Sequence, residues 1–212
     1  MSADYGRMAR RGVLMAVAVL AVAGRAAGQA PPPLFDGDGY RASAYRAPVD
    51  RDPAPAGRIA LAAALGLGGG ALFVDVLPAP GAARDAQGRW QLAEPHQTIP
   101  GALWVPEAGR ATPDPARWQA LRAAVAHWRA RHGGGPVVVF CRADCWMSWN
   151  AARRLAREGV GDVWWLAEGI EGWHEAGRAL VPALPDYPWP PRPGRAGRQG
   201  AGAMPRAKIK AP

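Results

Sequence analysis

Cysteine is nearly absent: Cys141 and Cys145 are the only two in 212 residues. Two cysteines cannot build the disulfide framework that staples a small secreted domain, so the fold must rest on a hydrophobic core. Long apolar runs are lacking too. The N-terminal one, GVLMAVAVLAVAG, covers about a dozen residues, short of the ~20 that a bilayer-spanning helix needs. Acids are missing from residues 192–212, where Arg192, Arg195, Arg198, Arg206, Lys208 and Lys210 give +6. Residues 1–30 add +3, four Arg against Asp4, and the remaining middle is balanced. The formal charge of +9 therefore belongs to the chain ends. That argues against a basic folded face and a nucleic-acid partner, and residues 183–212 read as a solvated, disordered Pro/Gly/Arg-rich tail.

What is present begins with Arg7, Arg10 and Arg11 ahead of the apolar run, which ends among small residues at AAGQA. This is the pattern of a cleavable export signal over residues 1–30, with an uncleaved anchor as the alternative, and it places the mature protein in the periplasm without a stable membrane span. The chain between signal and tail is long enough for one domain with a proper core.

Residues 31–57, rich in Pro, Gly and Asp, read as an ordered but irregular arm. Asp36 and Asp38 resemble the opening of a calcium loop, but no third ligand or closing Glu follows, so turn formation is the better reading. RIALAAALGL predicts a helix closed by three glycines, and ALFVDVL a buried strand stopped by Pro78. A second short strand is expected at 102–105. TPDPARWQALRAAVAHWRARHGGG predicts a long helix with Trp118, Leu121, Val125 and Trp128 on one face. PVVVF, residues 136–140, is the strongest strand in the sequence and runs directly into Cys141. A helix is expected from Ser148, then a strand in DVWWL and a short helix in IEGWHEAG. The alternation predicts an α/β fold, a central parallel sheet flanked by helices in three layers, with ligands bound at the carboxyl ends of strands.

A thiol at such a strand end can point into a ring of backbone N–H groups while the next helix aims its positive end at the sulfur; both effects favour thiolate. The sequence thus points to Cys141 as a reactive residue, with the amides of Arg142, Ala143, Asp144, Cys145, Trp146 and Met147 cradling an anion and Ser148 capping the helix. Cys145 is placed to resolve whatever forms on Cys141. On a regular helix their Cβ atoms would stand ~5–6 Å apart, against the ~3.5–4.5 Å of a disulfide, so a curled loop is required. An inert disulfide pinning the loop remains open. Metal binding is disfavoured because His96, His127, His132 and His174 show no ligand spacing, and His174 is read as capping or packing the last helix. The ten tryptophans read mostly as core and loop buttress, with a stacked planar ligand as the rarer use.

The order of ALFVDVL, IPGALWVP, VVVFC and DVWWLAEGIEGWHEAG resembles a rhodanese domain. FDGDGYR, YRAPV, DVLPAP, IPGALW and DCWMSWNAA more closely resemble a bacterial exported family named for a CxxxCW motif and associated with pyrroloquinoline-quinone (PQQ)-dependent catabolism. The resemblance implies sulfur-transfer or thiol–disulfide chemistry, with Cys141 accepting a sulfane sulfur as a persulfide. Its implied partners are a small sulfur donor or acceptor or a thiol redox partner, within a periplasmic quinoprotein system. No cofactor is assigned beyond that PQQ association. A non-catalytic accessory module of the same system is the alternative. Asp75 matches the rhodanese Asp that organises nearby backbone. Leu77 replaces an Arg common just after it, and Met147 stands where active loops of this fold commonly carry Arg.

Overall fold

The structure, a computed structural model, describes residues 32–185 apart from Gly88. The expected export signal and all but the first residues of the expected tail lie outside them.

Its centre is a five-stranded sheet of β1 (Gly57–Ile59), β2 (Leu72–Asp75), β6 (Leu103–Trp104), β7 (Val137–Phe140) and β8 (Val163–Leu166). They lie in the order β1-β8-β7-β2-β6 and every neighbouring pair is parallel. The helices between them are α1 (Leu61–Leu67), α2 (Pro115–Arg131), α3 (Trp146–Arg157) and α4 (Gly169–Glu175). Two small antiparallel pairs stand outside this sheet. β3 (Ala83–Arg84) pairs with β4 (Trp90–Gln91), and β5 (His96–Thr98) with β9 (Val181–Ala183). β9 therefore extends into the first residue of the expected tail.

β7 is the sheet's middle strand, and its four apolar residues are wholly buried. Each contributes about 1.5–3 kcal/mol by leaving water. Successive side chains of a strand face opposite sides. Val137, Val139 and Cys141 share one core with Trp118, Leu121 and Leu155, whereas Val138 and Phe140 join Ile59, Phe73, Leu166 and Trp173 in the other. The parity of β7 thus delivers the Cys141 sulfur to the α2/α3 side.

The long helix starts where expected, because Asp114 accepts the Arg117 N–H at 2.8 Å and Pro115 supplies a first-turn residue with no N–H to satisfy. Two elements differ from the sequence reading. RIALAAALGL is not one helix: Arg58 and Ile59 pair with Trp165 and Leu166 in β1, and α1 begins only at Leu61. α3 begins at Trp146 with Cys145 as its N-cap residue, so Ser148 lies inside the first turn and does not cap the helix.

The arm before β1 forms two isolated bridges, Phe35 with Arg41 and Arg46 with Cys145. Asp36 accepts the amides of Asp38 and Tyr40 at 3.0 and 2.8 Å, so it builds a turn. The arm is held by buried Asn150, which accepts from the Arg41 amide and donates to the carbonyls of Arg41 and Gly109, all at 2.9 Å. No described helix is long and apolar enough to cross a membrane.

Candidate active site

The chain turns sharply after β7. Asp144 adopts a left-handed conformation, φ 52°, which Asp tolerates better than most residues and which folds Cys145 back toward Cys141. Five hydrogen bonds hold this curl. The Ile170 amide donates to the Cys141 carbonyl at 2.9 Å. Glu171 accepts from Arg142 Nε at 2.7 Å and from the Ala143 amide at 2.9 Å. On the other side the arm contributes two bonds: Ala47 N–H donates to the Asp144 carbonyl at 3.0 Å, and Trp146 N–H to the Tyr45 carbonyl at 2.9 Å. The loop is clamped between α4 and the arm.

Cys141 is completely buried. Its sulfur lies 3.1 Å from Ser148 Oγ, 3.5 Å from the Cys145 carbonyl oxygen and 3.7 Å from that of Arg142. Ser148 Oγ in turn accepts from Trp165 Nε1 at 3.0 Å and donates to the Cys145 carbonyl at 3.2 Å. With its own proton spent on that carbonyl, Ser148 Oγ offers the Cys141 S–H an acceptor alongside the two carbonyl oxygens and the Cys145 sulfur. The expected cradle of amides is thus not what surrounds Cys141. Burial, with the neighbouring Cys145 thiolate, pushes the Cys141 thiol well above the ordinary range, against the lowering expected from sequence.

The surroundings of Cys145 act in the opposite direction. Hydrogen bonding from the Cys141 thiol leads, against the cost of burial; the Met147 amide in the first turn of α3, the Arg46 charge and the Arg142 amide add to it. Together they lower Cys145 to about 7. The Cys145 sulfur makes no regular capping bond, yet as N-cap residue it sits at the positive end of the helix. One thiol is held neutral and the other poised to ionise.

Beside Cys145 opens a cavity of about 360 Å³, walled by Leu77, Pro78 and Trp104 and reached by Arg46, His96 and Arg142. Met147, at the position where active loops of this fold commonly carry Arg, is buried and contributes apolar wall. Cys141 does not line it. Asp75, fully buried, accepts the Leu77 amide at 2.8 Å, Thr98 Oγ1 at 2.7 Å and His96 Nε2 at 2.7 Å. The His96 ring centroid lies 3.8 Å from that of Trp104.

The remaining loop residues divide plainly. Arg142 and Asp144 are exposed, Ala143 is half-buried, and Trp146 is buried beneath Phe35, Trp149 and the Arg41 guanidinium. The two loop tryptophans therefore act as a buttress. His127 and His132 belong to the end of α2 and its cap, and His174 is exposed on α4. Among the described residues no three His, Cys, Asp or Glu side chains converge on a metal-sized site. Sequence reasoning missed Tyr45, Arg46, Gly169 and Glu171. Only the opposite charges of Arg142 and Glu171 offered a signal, and their pairing depends on how α4 docks.

Comparison with known proteins adds the family. No curated protein matches the chain. Among solved structures, a protein of unknown function from Rhodopseudomonas palustris, described as a possible tyrosine phosphatase, aligns at 16% identity with a TM-score of 0.39, over 63% of this chain and 96% of its own. Residues 69–176, from the turn before β2 to the end of α4 and including both cysteines, match the rhodanese-like domain, and the chain belongs to that family.

Proposed function

We propose that this protein carries out sulfur transfer or thiol–disulfide exchange through Cys141 and Cys145. The observation that carries the reading is the bringing together of two buried free thiols at the carboxyl end of β7, the Cys141 sulfur 3.5 Å from the Cys145 carbonyl oxygen, beside a small-molecule cavity that Cys145 lines. Thiolate is the nucleophile in both reactions, and a second thiol within reach can release the product.

Phosphatase-like chemistry, the other activity suggested by the domain, fits the loop poorly. Met147 cannot give a phosphate the bidentate partner that Arg would, and two carbonyl oxygens within 3.7 Å of the Cys141 sulfur repel an anion there. Sulfane sulfur and disulfides carry less charge at the reacting atom and are tolerated better.

The N-terminal residues and the DCWMSWNAA stretch support the finer reading, in which the protein works in the periplasm alongside PQQ-dependent catabolism. The test is the intact mass of protein purified without reductant, before and after exposure to thiosulfate or polysulfide. Added sulfur that is lost when both cysteines are replaced by Ser supports the proposal. A pair that takes no sulfur and exchanges with no disulfide would instead favour an accessory role.

A further inference from the structure

The family position marks Cys141 as the thiol that meets the substrate, but the geometry points the other way. We infer that Cys145 is the attacking thiol, that Cys141 is the buried resolving thiol, and that the substrate is a small organic disulfide with an apolar body and an acidic group. This rests on the reading that the pair is chemically active.

Three independent observations converge. Both thiols are buried, but Cys145, 3% exposed, lines the cavity, whereas Cys141, at 0%, does not. Cys145 is the N-cap residue of α3, whose positive end favours negative charge on it, and its backbone pairs with that of Arg46, whose charge acts in the same direction. The Cys141 sulfur faces the carbonyl oxygens of Arg142 and Cys145, which suit a thiol that donates a proton and oppose a resting thiolate.

The cavity describes its occupant. Its volume is at the small end of the ~300–1,000 Å³ usual for small-molecule pockets. Leu77, Pro78 and Trp104 ask for apolar surface, and Arg46 and Arg142, against the one lining carboxylate of Glu94, ask for a carboxylate or similar anion.

The chemistry balances as follows. The Cys145 thiolate attacks one sulfur of R–S–S–R′; a Cys145–S–S–R bond forms, the substrate S–S bond breaks, and R′–S⁻ takes a proton from solvent. Cys141 then attacks the Cys145 sulfur, forming the Cys141–Cys145 disulfide and expelling R–S⁻, which takes up the proton Cys141 loses. The pair is oxidised by two electrons, the substrate is reduced to two thiols, and a dithiol reductant resets the protein.

Trypsin cleaves after Arg142, leaving the two cysteines on separate peptides. Reduced, full-length wild-type protein is pulsed with iodoacetamide at neutral pH and mapped, so no substitution is needed. Cys145 should be alkylated at least about tenfold faster than Cys141. Equal rates, or Cys141 first, would overturn the assignment. Dithiobis(nitrobenzoate), an anionic aromatic disulfide, should release two thiols per wild-type protein but one from Cys141→Ala, which retains the mixed disulfide on Cys145. Wild-type release rates from Cys145→Ala would also overturn it. Normalised to a free cysteine peptide, this probe should react about fivefold or more faster than cationic cystamine, and Arg46→Glu should erase that preference. An unchanged ratio refutes the substrate class. If neither thiol reacts in folded protein, the proposed function itself fails, which is distinct from a reversed order.

Discussion

Gly169 is where the loop and α4 meet most closely, and Gly169→Ala follows directly from that contact. A Cβ there would lie 2.6 Å from the Cys141 carbonyl oxygen, 2.6 Å from the Arg142 carbonyl carbon and 2.7 Å from the Ala143 nitrogen, all backbone atoms. The residue also has φ 60°, which costs an L-residue about 1–2 kcal/mol. Relief of the overlap requires α4 to retreat, breaking the bond from the Ile170 amide to the Cys141 carbonyl, worth about 1 kcal/mol. Together these give a destabilisation of about 2–4 kcal/mol. With a urea dependence of about 2 kcal/mol per M, the unfolding midpoint should fall by about 1 M or more at unchanged slope. A shift below about 0.3 M would refute the claim that α4 is wedged against the loop.

The matched control is Gly66→Ala in α1. Nothing lies within 4 Å of that Cβ, and thermal unfolding should show a gain of up to about 1 kcal/mol. Asn150→Leu strands the Arg41 amide and two carbonyls, so we expect a loss of about 3 kcal/mol or more and tryptic cleavage after Arg46 and Arg51 far faster than in wild type. The reactivity of Cys145 should rise with pH through about 7 and level off above it, because the thiolate forms by proton loss. The groups that set this midpoint are the Cys141 thiol, the amides of Met147 and Arg142, and Arg46. A rate–pH midpoint near 8.5, the value of an ordinary thiol, would contradict the described surroundings.

The parts of the fold written in local pattern were legible. The β-branched run through Phe140 and the capped helix after Asp114 announce themselves within their own residues. β1 was not legible, since three residues become a strand only because β8 lies beside them, and their apolar spacing continues smoothly into α1. The start of α3 was hidden because Trp146 and Met147 carry no start signal; the helix begins there since the arm fixes the Trp146 amide on Tyr45. The site was half visible. The strand end and thiol spacing located the pair, but which thiol ionises depends on burial and on Arg46, about a hundred residues away along the chain, whose Pro/Gly/Asp-rich setting predicts irregularity and nothing of its partner.

The most direct test of the account is the redox equilibrium of Cys141 and Cys145 in buffers of graded thiol–disulfide ratio, read by alkylation and intact mass on folded protein. Dithiol chemistry predicts a single two-electron transition between dithiol and disulfide at a potential above roughly −300 mV, in the range of exchangeable pairs. A disulfide that stays closed to well below that value would make the pair a structural pin. A pair that never closes while the protein remains folded would equally contradict the account.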